Sequence, residues 1–194
     1  MKPIQKAITG NESFQDLTNP TEVLAQFYSA FNNQNFELMS QNWLQNEEIA
    51  MDNPLGGIKR GWDEIQSVYS RIFTGQAKVY VEFYDYTIVQ FDGGFCAIGR
   101  ERGYVQIGQN KLELKIRTSR VYKLVNKTYK QVHHHGSIES PELLKEYQEL
   151  VEGVTKLLER VLNKDPKTTF VIIEEIPCDN WGINNMLVSD VREC

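Results

Sequence analysis

Three consecutive histidines, His133, His134 and His135, carry the most obvious chemical potential in this sequence. They are all the histidines of the chain, and they stand at an internal position, so an expression tag does not explain them. Adjacent imidazoles can hold a metal ion, supply a catalytic base or simply lie along a polar strand. The choice depends on the element that carries them.

The segment YKQVHHHG, residues 129–136, follows three other β-rich runs and is itself predicted to be a strand. Neighbouring strand residues point to opposite faces, so His133 and His135 share one face and His134 lies on the other. Two imidazoles need a third protein ligand to hold zinc, and none is close in sequence. We therefore predict neither a metal site nor another cofactor. A one-residue bulge would exchange the two faces.

An arginine and two carboxylates are the other candidates for chemistry. Arg120 shares its predicted strand face with Thr118 and Tyr122, and that face is otherwise apolar. A buried arginine has to be paired, either with a structural carboxylate or with an anionic ligand. Asp52 and Glu101 are candidates for that partner or for a catalytic base, and a structural ion pair is the simpler interpretation for each.

Aromatic residues make up 11% of the chain, as expected for a protein with an apolar cavity. His134 is the third candidate for catalysis, beside Asp52 and Glu101. The ligand is expected to be a small apolar or anionic organic molecule. We predict that six residues line its site: Tyr28, Trp43, Tyr84, Arg120, Tyr122 and Trp181. For most of these aromatic side chains a place in the core is the simpler explanation.

The elements that would position these residues form an α+β protein. Residues 1–18 are polar and aperiodic, which predicts a flexible arm. Residues 19–138 contain three amphipathic helices and then four β-rich runs separated by turn signals, which predicts helices packed on a curved antiparallel sheet. Residues 139–194 add a helix at 140–162 and a continuous apolar strand at 168–176.

Composition limits the classes of partner. The net charge of −5 argues against nucleic acid, which selects basic surfaces. No stretch is long and apolar enough to span a bilayer, and the first residues lack the apolar region of a secretory signal. The three cysteines are widely spaced and form no CxxC motif, so we expect neither a disulfide framework nor a zinc knuckle. We expect a reduced, cytoplasmic protein.

An ordered set of motifs resembles a known superfamily: NPLGGIKRGWDEI at 53–65, RTSRVYKL at 117–124 and YKQVHHHGS at 129–137. This superfamily includes ketosteroid isomerase, scytalone dehydratase, SnoaL-like polyketide cyclases, the association domain of calmodulin-dependent kinase and nuclear transport factor 2. The resemblance implies a cone-like fold for residues 19–138. It leaves the chemistry open, because the fold hosts enzymes, ligand binders and scaffolds alike.

The segment 140–188 resembles the helix, strand and loop of the 4-oxalocrotonate tautomerase family. The text TTFVIIEEI followed by DNWGI carries the similarity, and Trp181 with Gly182 matches the aromatic–glycine pair that helps to build the active site there. That family uses an amino-terminal proline as its base, just before the helix. The VHHHGS strand occupies that place here, and Pro3 is not the first residue, so we expect the usual proline route to be absent.

Two functions follow as alternatives. The first is a small-molecule pocket protein, an isomerase, tautomerase or cyclase-like enzyme that uses acid–base chemistry without a cofactor. The second is a non-catalytic ligand-binding or oligomerisation module. A carboxylate aimed at empty space would favour the enzyme, whereas full pairing of the carboxylates would favour the module. We expect a homo-oligomer, most simply a dimer, with His133 and His135 at the interface and His134 toward the pocket.

Overall fold

The computed structural model describes residues 2–54, 57–139, 141–171, 182–183 and 186–187. The chain divides into two compact units, Met1–Glu139 and Ser140–Cys194. The first unit is an α+β structure with three helices and a six-stranded sheet, which confirms the predicted fold class.

Three helices precede most of the sheet: α1 Pro20–Asn32, α2 Phe36–Asn42 and α3 Gly61–Thr74. The first begins as its sequence predicts, with Asn19 as the N-cap and Pro20 at the first helical position. The Asn19 side chain accepts a hydrogen bond from the Thr21 backbone N–H, which satisfies one of the free donors of the first turn. An asparagine also caps α2, where Asn35 accepts from the Leu38 N–H.

Four long strands and two short ones form the sheet: β1 Ala50–Asp52, β2 Ile58–Arg60, β3 Lys78–Phe91, β4 Gly94–Ile107, β5 Asn110–Val125 and β6 Thr128–Ile138. Their order is β2-β1-β6-β5-β4-β3. The long strands are the predicted antiparallel meander. The loop that follows α2 adds the short pair, and β1 joins β6 in parallel, so Met51 lies opposite His134.

Two irregularities in the long strands decide which side chains face the helices. In β3 the pairing shifts between Tyr84 and Thr87, and Asp85 within that bulge has a positive φ of 48°. In β6 the pairing shifts at Val132, because Gln131 pairs with Tyr122 whereas His133 pairs with Val121. A bulge breaks the alternation of faces along its strand.

The core lies between the helices and one face of the sheet, which we call the inner face. Aromatic side chains of α1 and the sheet supply much of it: the rings of Tyr28 and Phe83 stack with centroids 5.8 Å apart, and those of Phe95 and Tyr122 stack at 4.7 Å. Apolar burial of this kind is the main driving force for folding. The opposite face, the outer face, carries residues such as Val89, Ile98 and His135.

The amino-terminal arm differs from its prediction. We expected residues 1–18 to be flexible, but Ile4 and Ile8 make reciprocal backbone hydrogen bonds with Tyr86 and Phe83 of β3. These bonds satisfy part of the otherwise open edge of that strand, which gives the arm a fixed place. Gly10 follows with φ +88°, and a Cβ there would lie 2.3 Å from the Ser29 backbone nitrogen, so only glycine fits.

The second unit begins with helix α4, Pro141–Leu162, followed by a short 3₁₀ turn, Pro166–Thr168. A two-residue antiparallel pair forms β7, Gly182–Ile183, and β8, Met186–Leu187. Of the predicted apolar strand at 168–176, residues 169–171 belong to no helix or strand, and residues 172–176 lie outside the described residues. None of the described helices is long and apolar enough to cross a membrane.

Candidate functional site

A buried ion pair stands at the centre of the inner face. Arg120 of β5 and Glu101 of β4 are 1% and 3% exposed, and their Nη2 and Oε1 atoms lie 2.8 Å apart. The Tyr28 hydroxyl, on α1, donates to the same Glu101 oxygen at 2.6 Å and accepts from Arg120 Nε at 3.3 Å. The Phe27 ring covers the guanidinium at 3.6 Å. Glu101 is therefore the partner of Arg120, one of the two roles expected for it.

A second set of contacts fixes the amide of Gln131, which is fully buried on β6. Its Oε1 accepts from Arg120 Nη1 at 3.2 Å and from the Tyr122 hydroxyl at 2.7 Å. The Arg120 contact settles which end of the amide is which, because a guanidinium N–H can only donate, whereas the single Tyr122 hydrogen also has Asn42 Oδ1 within reach at 3.2 Å. The Gln131 Nε2 group consequently points away from both donors, and among the described residues it has no hydrogen-bond partner.

His134 lies beside this network and has an assigned tautomer. Its Nε2 is 3.0 Å from the Thr118 hydroxyl oxygen. We assign the single hydroxyl hydrogen of Thr118 to the His135 carbonyl, which lies 2.9 Å from Oγ1, and in this assignment Thr118 accepts from His134. Nε2 therefore carries the proton, and Nδ1 is a bare acceptor. That Nδ1 atom is buried and has no partner among the described residues.

Electrostatics keep His134 neutral. Burial, followed by the nearby Arg120 charge and the adjacent His133 and His135, holds the pKa of His134 well below the usual 6.5. Burial by itself would lower the pKa of Arg120, but Tyr28 and Glu101 outweigh it and hold that pKa above its ordinary value. The arginine is therefore a permanent cation here.

The three buried phenols around Arg120 remain protonated. Burial raises the pKa of Tyr28 and of Tyr122 well above the usual 10, and raises the pKa of Tyr69 to about 12. Neutral hydroxyls can both donate and accept, which is how Tyr28 bridges Arg120 and Glu101. The site thus contains one cation, one carboxylate and several neutral polar groups.

The bulge in β6 explains why this site was only partly predicted. Strict alternation would place Gln131 with His133 on the outer face, but the extra residue Val132 brings Gln131 and His134 to the same inner face. His134, Arg120, Tyr28 and Tyr122 were singled out from the sequence. Gln131 was missed, and a sequence carries no reliable mark of a bulge.

Two predicted site residues lie elsewhere. Tyr84 pairs with Arg100 on the outer face and has the Arg102 guanidinium 4.5 Å from its ring centroid, because the bulge at Asp85 brings Tyr86 rather than Tyr84 inward. Asp52, a candidate base, also lies on the outer face, where its Oδ2 is 3.0 Å from His135 Nδ1. Neither residue can act on the inner side of the sheet.

The remaining predicted residues are placed as follows. Trp43 is 1% exposed, and its ring centroid lies 6.3 Å from that of Tyr69, so it is a core residue at the end of α2. His133 is half-buried and His135 exposed, both on the outer face. Trp181 lies outside the described residues.

The outer face combines apolar and charged side chains. Val89, Cys96, Val121 and His133 pair in one row across β3, β4, β5 and β6. Ile98 lies in the next row and is 49% exposed, and Phe91 at the edge is 50% exposed. Exposed apolar residues on adjacent strands are typical of surfaces that bind another protein.

Within the described residues, no group of three His, Cys, Asp or Glu side chains is close enough to hold a metal ion.

Two family models match the chain. Residues 21–141 match the SnoaL-like domain, and residues 145–190 match the tautomerase enzyme family. Over 46 residues the chain is 48% identical to "Probable tautomerase K2" of Dickeya dadantii, covering 24% of this chain and 69% of that protein. The resemblances to both families are thereby confirmed.

Solved structures share the fold of the first unit. A nuclear transport factor 2-like superfamily protein from Salmonella enterica aligns with a TM-score of 0.56 and 18% identity, over 62% of this chain and 89% of that one. The S. rosetta CaMKII hub aligns with a TM-score of 0.53 and 14% identity, over 61% and 92% of the two chains. Identities this low establish the fold alone.

Proposed function

Because the chain belongs to the SnoaL-like family through residues 21–141 and to the tautomerase family through residues 145–190, we propose that it binds a small organic molecule and catalyses proton transfer on it without a cofactor. The reaction class is isomerisation of a carbonyl compound. The proposed base is His134, and the proposed site is the inner face of the sheet beside Arg120 and Gln131.

The observation that carries this proposal is the bare Nδ1 atom of His134. A neutral imidazole nitrogen that is buried without a partner costs free energy, since it gives up hydrogen bonds to water. A bound molecule would recover that loss. The candidate carboxylates offer no comparable atom, because Glu101 is paired with Arg120 and Asp52 lies on the outer face.

The proposed step moves one proton from carbon to nitrogen. Nδ1 takes a proton from the carbon next to the carbonyl, the C–H electron pair becomes the C=C bond, and the carbonyl oxygen takes up the negative charge. In this proposal the donor to that oxygen is the Gln131 Nε2 group, which lacks a partner among the described residues. In a β,γ-unsaturated carbonyl compound the resulting dienolate takes the proton back at the γ-carbon, the double bond moves into conjugation with the carbonyl, and His134 is neutral again.

A low pKa does not disqualify His134 from this role. A general base must be unprotonated at the working pH, and His134 meets this condition at neutral pH. The base of ketosteroid isomerase has a pKa of only about 4.6 and is effective because its oxyanion hole stabilises the product of the proton transfer. In the protein described here, Gln131 would have to stabilise the negative charge on the carbonyl oxygen.

Hydrogen–deuterium exchange tests the proposal without knowledge of the natural substrate. A panel of ketones and aldehydes in deuterated buffer would be followed by NMR for protein-dependent exchange at the carbon next to the carbonyl. We expect exchange with at least one compound and a loss of at least about 100-fold in His134→Gln. His133→Gln, on the opposite face, is the matched control and should keep the rate.

A second function is supported by a different observation. The outer face exposes the apolar side chains of Val89, Phe91 and Ile98. We propose that a second copy of the chain buries them in a homodimer. Arg102 and Glu82 of this face already pair with each other, so a two-fold related copy would meet no uncompensated charge at this pair. Full pairing of Glu101 and Asp52 also fits an assembly module. A monomer in sedimentation at micromolar concentration would refute the dimer.

A further inference from the structure

The polar site on the inner face is balanced in charge. The Arg120 cation is paired with the Glu101 carboxylate at 2.8 Å, and the hydroxyls of Tyr28 and Tyr122 bonded within this network are neutral. His134 is also neutral. A ligand that reaches this site therefore meets an arginine whose charge is already compensated, and a net charge on the ligand would be buried without a counter-ion.

Two buried polar atoms on β6 lack a hydrogen-bond partner among the described residues, an acceptor on His134 and a donor on Gln131, and the indole N–H of Trp43, whose backbone bridges to Gln131, is a further donor without a partner. His134 Nδ1 lacks a donor, because the Thr118 hydroxyl fixes the proton on Nε2. Gln131 Nε2 lacks an acceptor, because Arg120 and Tyr122 occupy the amide oxygen. Both residues are on β6, on either side of the bulge, with His134 opposite Arg120 and Gln131 opposite Tyr122.

We infer that the ligand of this site is uncharged and carries a hydrogen-bond donor next to a carbonyl oxygen, as in a hydroxyketone, an enol or a carboxamide. The donor binds His134 Nδ1 and the carbonyl oxygen binds Gln131 Nε2. This inference rests on the proposed pocket, and it replaces the expectation of an anionic ligand.

A carboxylate fits the same space less well for two reasons. It has no hydrogen to give to His134 Nδ1, so two acceptors would face each other. It also brings a charge into a site where Glu101 already neutralises Arg120. Sites built to bind a hydrogen-bond donor discriminate strongly against analogues that lack it.

The test uses matched amide and carboxylate probes of equal shape. Acetamide and acetate, isobutyramide and isobutyrate, and benzamide and benzoate would be titrated into the full chain near neutral pH. Affinity comes from ligand-observed NMR, and the ¹⁵N resonances of the His134 ring report whether binding occurs at the site. We expect at least one amide to bind at His134 at least about tenfold more tightly than its carboxylate.

Three variants sharpen the result. His134→Leu should weaken the amide by at least about tenfold, because the acceptor is lost. Thr118→Val removes the hydroxyl that holds the proton on Nε2, so Nδ1 can carry the proton and donate to a carboxylate. The preference for the amide should then shrink to about threefold or less. Ser119→Ala, the neighbour on the outer face of β5, should leave both affinities unchanged.

Two outcomes would overturn the inference, and they are distinguishable. If a carboxylate binds at His134 as tightly as its amide, the ligand class is wrong while the pocket remains. If none of the six probes perturbs the His134 ring at any concentration up to its solubility limit, the pocket proposal fails together with the inference. An amide preference that Thr118→Val leaves intact would also contradict the assigned tautomer.

Discussion

Two adjacent histidines of strand β6 lie on opposite faces of the sheet and have different environments. His134 is 7% exposed, neutral and within reach of a threonine and an arginine, whereas the neighbouring His135 is exposed and pairs with Asp52. The difference arises from one residue of register: the bulge at Val132 turns His134 together with Gln131 toward the helices. Two neighbouring histidines therefore have different surroundings because the bulge sends their side chains to opposite faces of the sheet.

This comparison separates two roles along one segment of sequence. The inner side of the strand has an acceptor that lacks a donor, the Nδ1 atom of His134, and we propose that this atom binds the ligand. The outer side lies beside exposed apolar residues such as Ile98, and we propose that these residues form the homodimer interface. Substitutions on one side of the sheet can therefore be compared with matched controls elsewhere on it.

The largest effect is expected from the buried ion pair on the inner side. Glu101→Gln leaves the Arg120 charge without a counter-ion, so we expect the free energy of unfolding to fall by about 3–5 kcal/mol. Glu113→Gln removes one member of the exposed pair with Lys115, and should change it by less than about 0.5 kcal/mol. Urea unfolding measures both. Similar losses in the two variants would mean that Arg120 does not depend on Glu101.

The next effect is a pH dependence that belongs to His134. The folded pKa is depressed, so below about pH 6.5 the unfolded chain binds a proton that the folded chain does not. Stability should therefore fall as the pH drops below that value, by at most about 1.4 kcal/mol per pH unit for this group. The charged or titratable groups that act on it are Arg120, His133 and His135.

Matched variants test whether the pH dependence of the unfolding free energy belongs to His134. In His134→Leu the dependence of the unfolding free energy between about pH 6.5 and pH 5 should flatten, because the unfolded chain no longer gains this proton. His133→Gln should retain most of the wild-type slope. If the two variants show the same pH dependence of the unfolding free energy, that dependence does not arise from His134.

A smaller effect on stability but a clear one on assembly is expected on the outer side. Ile98→Lys places a charge among exposed apolar residues, and we expect it to convert the proposed homodimer to monomer in analytical ultracentrifugation. His133→Gln combined with His135→Gln should loosen the dimer and reduce its dependence on pH. Leu112→Lys, 68% exposed near the far end of β5, is the control.

The smallest expected signal comes from the tautomerase-family segment. Its family-like text ends in a Trp181–Gly182 pair, but no terminal proline precedes α4. We expect ketonisation of a simple enol acid to be close to the uncatalysed rate. A strong rate that is insensitive to Trp181→Ala would show that a base has been overlooked in this segment.

The sequence predicted the fold class for physical reasons, and it singled out Tyr28, Arg120, Tyr122 and His134, which the structure brings together on the inner face. Turn residues and β-rich runs marked the meander, and the mixed pattern around Arg120 marked a buried polar strand face. What it missed depends on local backbone geometry. The bulge at Asp85 reversed the position expected for Tyr84, and the bulge at Val132 hid Gln131. Asp52 was misplaced because nothing local reveals that β1 pairs in parallel with β6.

The central claim is that His134 is a neutral imidazole with its proton on Nε2 and a bare Nδ1 atom. Long-range ¹H–¹⁵N NMR of the histidine rings tests this most directly. We predict one ring with a protonated Nε2 and an unprotonated Nδ1 that remains so below the ordinary imidazole pKa of about 6.5, and that disappears in His134→Gln. A His134 ring that titrates near the ordinary imidazole pKa, or that carries its proton on Nδ1, would contradict the account.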